Sequence, residues 1–496
     1  MMKRYFLAID QGTSSSRAIL YNDKLETLKS HQIEVGQSYP QSSWVEQCPE
    51  ELFQAQFTCI EKILEGLEND AEVYAGITNQ RETSIIWDKN TSKPVYPAIV
   101  WQDMRTADYC EELTQKGLDK TIKNKTGLVL DAYFSATKIS WILDSNPEIR
   151  KEAEAGNLLF GTVDTWLMWK LSQGKKHLTD HSNAARTMLF NIHDMNWDKE
   201  LLEIFNIPAS LLPELKTSQA EYLECEINDK KIKIVSVAGD QNASLFGHTC
   251  FKKGEAKNTY GTGCFLLVNT GEEIVESKNG LLSTVAFSLK DKKVNYALEG
   301  SIFIAGSALN WLKNKMQVLE DIKESSAIAE SISEEEMDNL YFVPAFSGLG
   351  SPYWDMYARG TIIGLNLDTG KNHLIRATLE SLAYQTKDVA GSMENDMQCK
   401  LKSLSVDGGG SKNDFMLNFL SGVLGIDVLR QDNVELTAFG IAAMVANFIG
   451  LYSLEELVNM NKNSELFNTK FDESKKEKLY NGWKKAVNYS KGWLKN

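Results

Sequence analysis

The sequence predicts an α/β protein of two domains with a cleft between them, and three observations carry that expectation. A chain of 496 residues exceeds what a single hydrophobic core ordinarily supports. Short apolar runs with strand character alternate with longer segments whose apolar residues recur at helical spacing. One local device, a strand entering a turn of glycine and hydroxyl residues and leaving as a second strand, occurs near the start and again past the midpoint.

Taken in order, residues 5–9 and 17–21 read as two strands joined by the polar turn Gly12-Thr13-Ser14-Ser15-Ser16. Residues 50–67 and 132–143 carry apolar positions at helical spacing, and residues 231–238 read as a buried strand that stops at Gly239-Asp240. The device returns at residues 258–268, around Gly261-Thr262-Gly263. Residues 373–393 predict a long, half-buried helix. Residues 403–406 then form a strand running into Asp407-Gly408-Gly409-Gly410, and residues 415–424 resume a helix. Strand, glycine turn and helix is an order suited to a nucleotide. The last apolar helix spans residues 438–449, and the Lys-rich segment from Ser474 predicts a solvated terminal helix.

Composition narrows the function. Hydrophobic residues make up 43% and charged residues 24%, so the chain should fold throughout. Lys and Arg number 53 against 67 Asp and Glu, a formal net charge of −14, which opposes binding to nucleic acid or to an anionic membrane. A phosphate site in such a chain has to be local and geometric. The opening apolar run stops at Asp10 and no later segment is long enough to insert into a membrane. The seven cysteines include no Cys-x-x-Cys and the six histidines only one isolated His-x-x-x-His pair, His177 and His181, which suits reduced thiols in a cytoplasmic protein without structural zinc.

Asp10-Gln11-Gly12-Thr13-Ser14-Ser15-Ser16-Arg17 places an acid at a strand end beside hydroxyls and free amides. Such a turn can cradle phosphate oxygens while the acid holds a magnesium ion, and the same residues also suit a capped hairpin without ligand. Gly261-Thr262-Gly263 and Asp407-Gly408-Gly409-Gly410 are ordinary turns taken singly; their order along the chain is the signal. The P-loop pattern and the protein-kinase signatures are absent from the sequence.

An acid-led phosphate hairpin, a second Gly-Thr-Gly loop and a later glycine loop, in this order, resemble the actin/hexokinase-like (ribonuclease H-like) ATPase superfold. Its FGGY carbohydrate kinase branch is the one resembled, through Gly360-Thr361-Ile362-Ile363-Gly364-Leu365 with His373-Leu374-Ile375-Arg376-Ala377-Thr378-Leu379-Glu380 and through Tyr133-Phe134-Ser135-Ala136-Thr137-Lys138. Ser145 departs from the residue expected at the end of that second stretch. Within the branch, Asn79-Gln80-Arg81-Glu82-Thr83, Val100-Trp101-Gln102 and Ala238-Gly239-Asp240-Gln241-Asn242 are similar to glycerol kinases.

The resemblance implies domains at 1–247, with the polyol site and phosphate hairpin, and 248–496, with the nucleotide site. It implies phosphorylation of glycerol by ATP with Mg²⁺, giving sn-glycerol 3-phosphate and ADP. Asp240 is the implied base, and Arg81, Glu82, Trp101, Tyr133, Asp240, Gln241 and Phe265 the implied polyol site. Thr13, Ser14, Ser15 and Arg17 then lie near the terminal phosphates, opposite Thr262 and Gly263. Gly306, Asn310, Gly409 and Asn413 border the ribose and adenine, with Asn310 standing where Gln is expected, and Asp10 holds Mg²⁺ directly or through a water. Such kinases are commonly homo-oligomers, dimers or tetramers. The residue types suit a triol, since Arg81 donates, Glu82 and Asp240 accept, and Trp101 and Phe265 wall the carbon face. Plain alternatives stand beside these: an exposed Arg81–Glu82 ion pair, core packing for Trp101 and Phe265, and a helix cap for Asp240. At the level of function, the alternatives are a kinase for another polyol or a pentulose, and a non-catalytic ATP-binding sensor. Residues 222–234 contain no Gly, Arg or His, so control by a sugar bisphosphate or by histidine phosphorylation is not expected there.

Overall fold

The structure, a computed structural model, describes residues 3–68, 71–337, 339–432, 435–461 and 463–495. Two mixed sheets organise it. The first contains β1 (Arg4–Gln11), β2 (Ser15–Tyr21), β3 (Thr27–Glu34), β4 (Glu72–Asn79), β5 (Gln219–Ile227) and β6 (Lys230–Gly239), in the spatial order β5-β6-β4-β1-β2-β3. The second contains β7 (Ala256–Tyr260), β8 (Cys264–Gly271), β9 (Leu282–Phe287), β10 (Asn295–Ile302), β11 (Ser403–Asp407), β12 (Asp427–Gln431) and β13 (Ser464–Phe467), in the order β9-β10-β8-β7-β11-β12-β13. From β3 across the first sheet the ladders run antiparallel, antiparallel, parallel, parallel, antiparallel. From β10 across the second they run in the same sequence. The device seen twice in the sequence is therefore the opening hairpin of two equivalent sheets, β1-β2 and β7-β8. Central β1 is buried from Tyr5 onward, as its unbroken apolar run requires, whereas edge β3 is polar and mostly exposed.

Helices cover the sheets: α1 (Pro49–Leu64), α2 (Ser135–Ser145), α3 (Asp240–Gly247), α4 (Gly306–Asn314), α5 (Lys371–Met397), α6 (Asp414–Leu424), α7 (Leu436–Phe448) and α8 (Glu473–Ser490). Helix α1 starts with Pro49 in its first turn and two glutamates behind it, and it ends before the expected residue 67 because Gly66 takes φ +77°. Helix α7 lies in the chain between β12 and β13 of the second sheet yet packs on the first, with Ile441 and Val445 over Gly76 of β4. It is apolar almost all round, as a helix buried between two layers must be. It also crosses α3 at very close range: a Cβ on Gly440 would lie 1.9 Å from the Ala243 carbonyl oxygen, and one on Gly247 2.2 Å from that of Leu436. These glycines let α7 fix the helix that begins with Asp240.

The expectation of a solvated tail is overturned. Helix α8 places Trp483, Ala486 and Val487, three and four residues apart, in the core of the second sheet. Trp483 is fully buried, stacks on Tyr384 at 5.3 Å and donates its indole N–H to Asp388 at 2.7 Å. Burial of that ring contributes about 2–3 kcal/mol. The many lysines occupy the opposite face and mask this stripe in the sequence. All seven cysteines are free. Among the described residues, no helix is long and apolar enough to cross a membrane, and no cluster of three or more His, Cys, Asp or Glu side chains could hold a metal ion.

Candidate active site

The tips of the two opening hairpins face one another across the cleft. Between them lies a cavity of about 220 Å³ lined by Thr13, Ser14, Gln80, Arg81, Glu82, Trp101, Tyr133, Asp240, Gln241, Thr259, Gly261, Thr262, Gly263 and Phe265. Thr13, Ser14, Trp101, Tyr133 and Thr262 also line a wider space of about 510 Å³.

Arg81 and Glu82 follow β4, and they are buried, not the exposed pair of the plain reading: 3% and 2% of their surface is accessible. Glu82 sits in the left-handed region at φ +60°, a conformation that costs on the order of 1 kcal/mol and is held by hydrogen bonds from the Ser84 and Ser135 hydroxyls to its carbonyl, at 3.0 and 2.9 Å. The two terminal nitrogens of Arg81 donate to Glu299 at 2.8 Å each. That leaves the Nε edge facing Asp240 Oδ1 at 3.5 Å and Glu82 Oε1 at 3.9 Å. Arg186 closes the set, with Nε 2.6 Å from Glu82 and Nη2 3.1 Å from Glu299. Two guanidinium and two carboxylate groups thus form a buried, neutral network. Burial would raise both carboxylates, but Glu299, gripped by both arginines, is held down at about 2. Glu82 has one close arginine and stays above the ordinary value because burial prevails.

Glu299 and Arg186 were missed by the sequence reading. The available signal was a charge inside an apolar run: Glu299 interrupts Tyr296-Ala297-Leu298, and Arg186 follows Ala184-Ala185.

Asp240 is the first residue of α3, and the cap position before it belongs to Gly239. The Asp240 side chain nonetheless accepts a first-turn N–H of α3, that of Gln241, as the capping alternative requires. A Cβ on Gly239 would lie 2.5 Å from Arg81 Cδ, so this glycine makes room for the arginine to cross the strand end. The Asp240 side chain is 31% exposed while those of Arg81 and Glu82 are 2%. Its Oδ1 accepts from the Gln241 backbone N–H at 2.7 Å and its Oδ2 from the Gln241 side-chain amide at 3.2 Å.

Trp101 donates its indole N–H to Thr13 Oγ1 at 3.0 Å, and its ring meets Tyr133 and Phe265 edge-on at 5.6 and 6.0 Å. These rings wall the cavity instead of filling a remote core. Burial pushes the Tyr133 phenol far up, keeping it neutral and able to donate. Helix α2 starts at Ser135, three residues later than expected, because residues 131–134 form the loop that carries Tyr133. Asp131 accepts from the Tyr133 N–H at 2.8 Å, and the buried Lys138 donates to the carbonyls of Ala132, Tyr133 (2.8 Å) and Phe134 (3.2 Å).

Other candidates do not line this cavity. Asp10 pairs with Arg17 at 3.1 Å, and Arg17 with Glu435 at 2.5 Å. Burial pushes the Asp10 carboxyl up, Arg17 opposes that, and the Asp240 charge adds to it, so the two carboxylates feel one another. Ser15 opens β2, with its carbonyl accepting from the Gly12 N–H at 2.9 Å. The second tip is tied to α4: Gly306 N–H donates to the Gly261 carbonyl at 3.0 Å, and Ala305 and Ser307 N–H to that of Thr262 at 2.9 and 3.1 Å. Asn310 is exposed one turn further along α4. Gly409 is exposed, with no atom within 4 Å of where a Cβ would sit. Asn413 caps α6, accepting from the Met416 N–H at 2.9 Å and donating to Ser325 at 3.0 Å.

Comparison with known proteins places the chain in a family. The FGGY family of carbohydrate kinases matches by its N-terminal domain over residues 5–247 and by its C-terminal domain over residues 256–448. The chain is 50% identical to a glycerol kinase of Thermoanaerobacter sp. (strain X514) over 497 residues, covering 99% of each. It is 51% identical to glycerol kinase 1 of Clostridium tetani (strain Massachusetts / E88), covering 100% of each. The crystal structure of Plasmodium falciparum glycerol kinase with ADP superposes with a TM-score of 0.91 at 35% identity, covering 99% of this chain and 98% of that one. The chain belongs to the FGGY family of carbohydrate kinases, in its glycerol kinase branch.

Proposed function

We infer that this chain transfers the terminal phosphoryl group of ATP to a primary hydroxyl of glycerol, giving sn-glycerol 3-phosphate and ADP. The observation that carries the reading is the 220 Å³ cavity, whose buried Arg81 and Glu82 and half-open Asp240 are walled by Trp101, Tyr133 and Phe265. Such a space suits a three-carbon triol: the charged edge pairs its hydroxyls and the rings cover its carbons. Gln241 completes this end.

In the proposed reaction Asp240 accepts the proton of the attacking hydroxyl, the new O–P bond forms, and the bond to the bridging oxygen of ATP breaks with its electron pair leaving on ADP. The transition state is loose, so the carboxylate acts mainly by aiming the oxygen. Thr13, Ser14, Ser15 and Arg17 face the terminal phosphates, Thr262 and Gly263 hold them from the other side, and Gly306, Asn310, Gly409 and Asn413 border the adenosine. Asp10 is a hard oxygen donor whose carboxyl feels Asp240, which fits Mg²⁺ held directly or through a water. The ion, when bound, neutralises phosphate charge. Residues 1–247 supply the phosphate hairpin and most of the polyol end, which Phe265 and Glu299 reach from 248–496, and 248–496 carry the nucleotide site, in a cytoplasmic homo-oligomer.

The readings that compete are a pentulose or other polyol kinase and an ATP-binding sensor. Coupled ADP release across glycerol, dihydroxyacetone, xylulose, ribulose and gluconate separates them. Glycerol is expected to give the highest kcat/KM. Preference for a five- or six-carbon substrate overturns the assignment, and no release with any of them favours the sensor.

A further inference from the structure

Beneath the cavity, unused by the chemistry above, lies Lys257 of β7. It is fully buried, and its ammonium donates to two neutral oxygens, Gln241 Oε1 at 2.6 Å and Thr259 Oγ1 at 2.9 Å. A lysine at such a position is costly compared with an apolar side chain. Burial lowers its pKa to about 8, against the pull of Asp407, Asp240 and Glu299.

The chemistry of the groups on either side fixes the Gln241 amide. An ammonium only donates, so the amide must turn Oε1 towards Lys257; a carboxylate only accepts, so Nε2 must turn towards Asp240. Nε2 is 3.2 Å from Asp240 Oδ2, and the Gln241 N–H holds Oδ1 at 2.7 Å. Both oxygens of the carboxylate are thereby gripped. Without these contacts the terminal torsion of an aspartate is broad, and its lone pairs would swing away from the hydroxyl they have to meet. Lys257 reaches this helix from the strand that continues into the second hairpin tip, so one strand sets both the carboxylate and the loop around Thr262.

We propose that Lys257 is a positioning residue that fixes the orientation of Asp240 through the side-chain amide of Gln241. This rests on the reading of Asp240 as the base. The full-length variants Lys257→Met and Gln241→Leu are made singly, together, and each in an Asp240→Asn background. For each, kcat, KM for glycerol, ATP binding and Tm are measured. Each single variant is expected to lose about 10- to 100-fold in kcat with ATP binding kept, and Lys257→Met to leave KM for glycerol nearly unchanged. The pair together should do no worse than the worse single variant, and neither should lower the residual rate of Asp240→Asn. A structural role moves Tm and subtracts activity in every background. If Lys257→Met fails to fold, Gln241→Leu keeps the lysine and breaks the link by itself. Full kcat in the single variants, multiplied losses in the pair, or further loss in the Asp240→Asn background overturns the proposal. Full activity of Asp240→Asn overturns the base reading and the relay with it; an inactive Asp240→Asn beside a fully active Lys257→Met overturns the relay alone.

Discussion

The two ends of the cleft are built on opposite principles. At the proposed polyol end the side chains are fixed: Arg81, Glu82, Arg186 and Glu299 are buried and locked to one another. At the proposed nucleotide end the loop backbone is held instead: the Gly261 and Thr262 carbonyls are tied to the start of α4, and Thr262, Asn310 and Gly409 lie exposed. A small triol offers only a few hydroxyls, so its site must be rigid and charged. A nucleotide offers phosphates and a large flat base, which amides and glycines accommodate. Substitutions at the two ends should therefore act on different ligands.

Asp240→Asn keeps the size and the first helical turn but removes the proton acceptor. A fall of about 100-fold or more in kcat is expected, with folding and ATP binding retained, and steady-state kinetics with a nucleotide titration reads both. A paired test addresses the nucleotide end. A Cβ on Gly263 would lie 2.4 Å from the Ile302 carbonyl oxygen and 2.9 Å from that of Phe303, so Gly263→Ala must displace the loop, and KM for ATP should rise roughly 10-fold. Gly409→Ala meets no atom within 4 Å. Its Tm should stay the same, while KM for ATP rises only about two- to fivefold, because the methyl occupies space left for the nucleotide. Equal effects of the two alanines on stability would break the contrast.

The charged network also bears on acid stability. Glu299 is held down at about 2 from an ordinary value of 4.5, so below that ordinary value the unfolded chain takes up a proton that the folded one refuses. Its contribution is present above pH 4.5 and is lost as pH falls towards 2. The stability advantage of the wild type over Glu299→Gln, followed by denaturant melts, should shrink over that window.

How much of this was legible in the sequence follows the same divide. The backbone end announces itself through glycine turns and their order, and both hairpins, the strand before Asp240 and the strand before Gly408 lie where their patterns predict. The charged end was only half visible. Arg81 and Glu82 are adjacent and carry a pattern, but their partners Arg186 and Glu299 come from distant segments and are joined to them only by folding. Helix α7 is plain as an apolar segment, yet nothing local says that it packs on the first sheet. Helix α8 hid its buried stripe behind its lysines, because charge count reports on the solvated face and says little of the other.

The claim that the polyol is held by the locked side-chain network and the nucleotide by backbone is tested most directly by titrating glycerol and ATP separately into the wild type and Arg81→Ala. Loss of the guanidinium leaves Glu82, Glu299 and the substrate hydroxyls short of a donor, so glycerol binding should weaken by about 1–3 kcal/mol. ATP affinity should stay within about twofold. Unchanged glycerol binding, or an equal loss for both ligands, would contradict the division of the cleft described here.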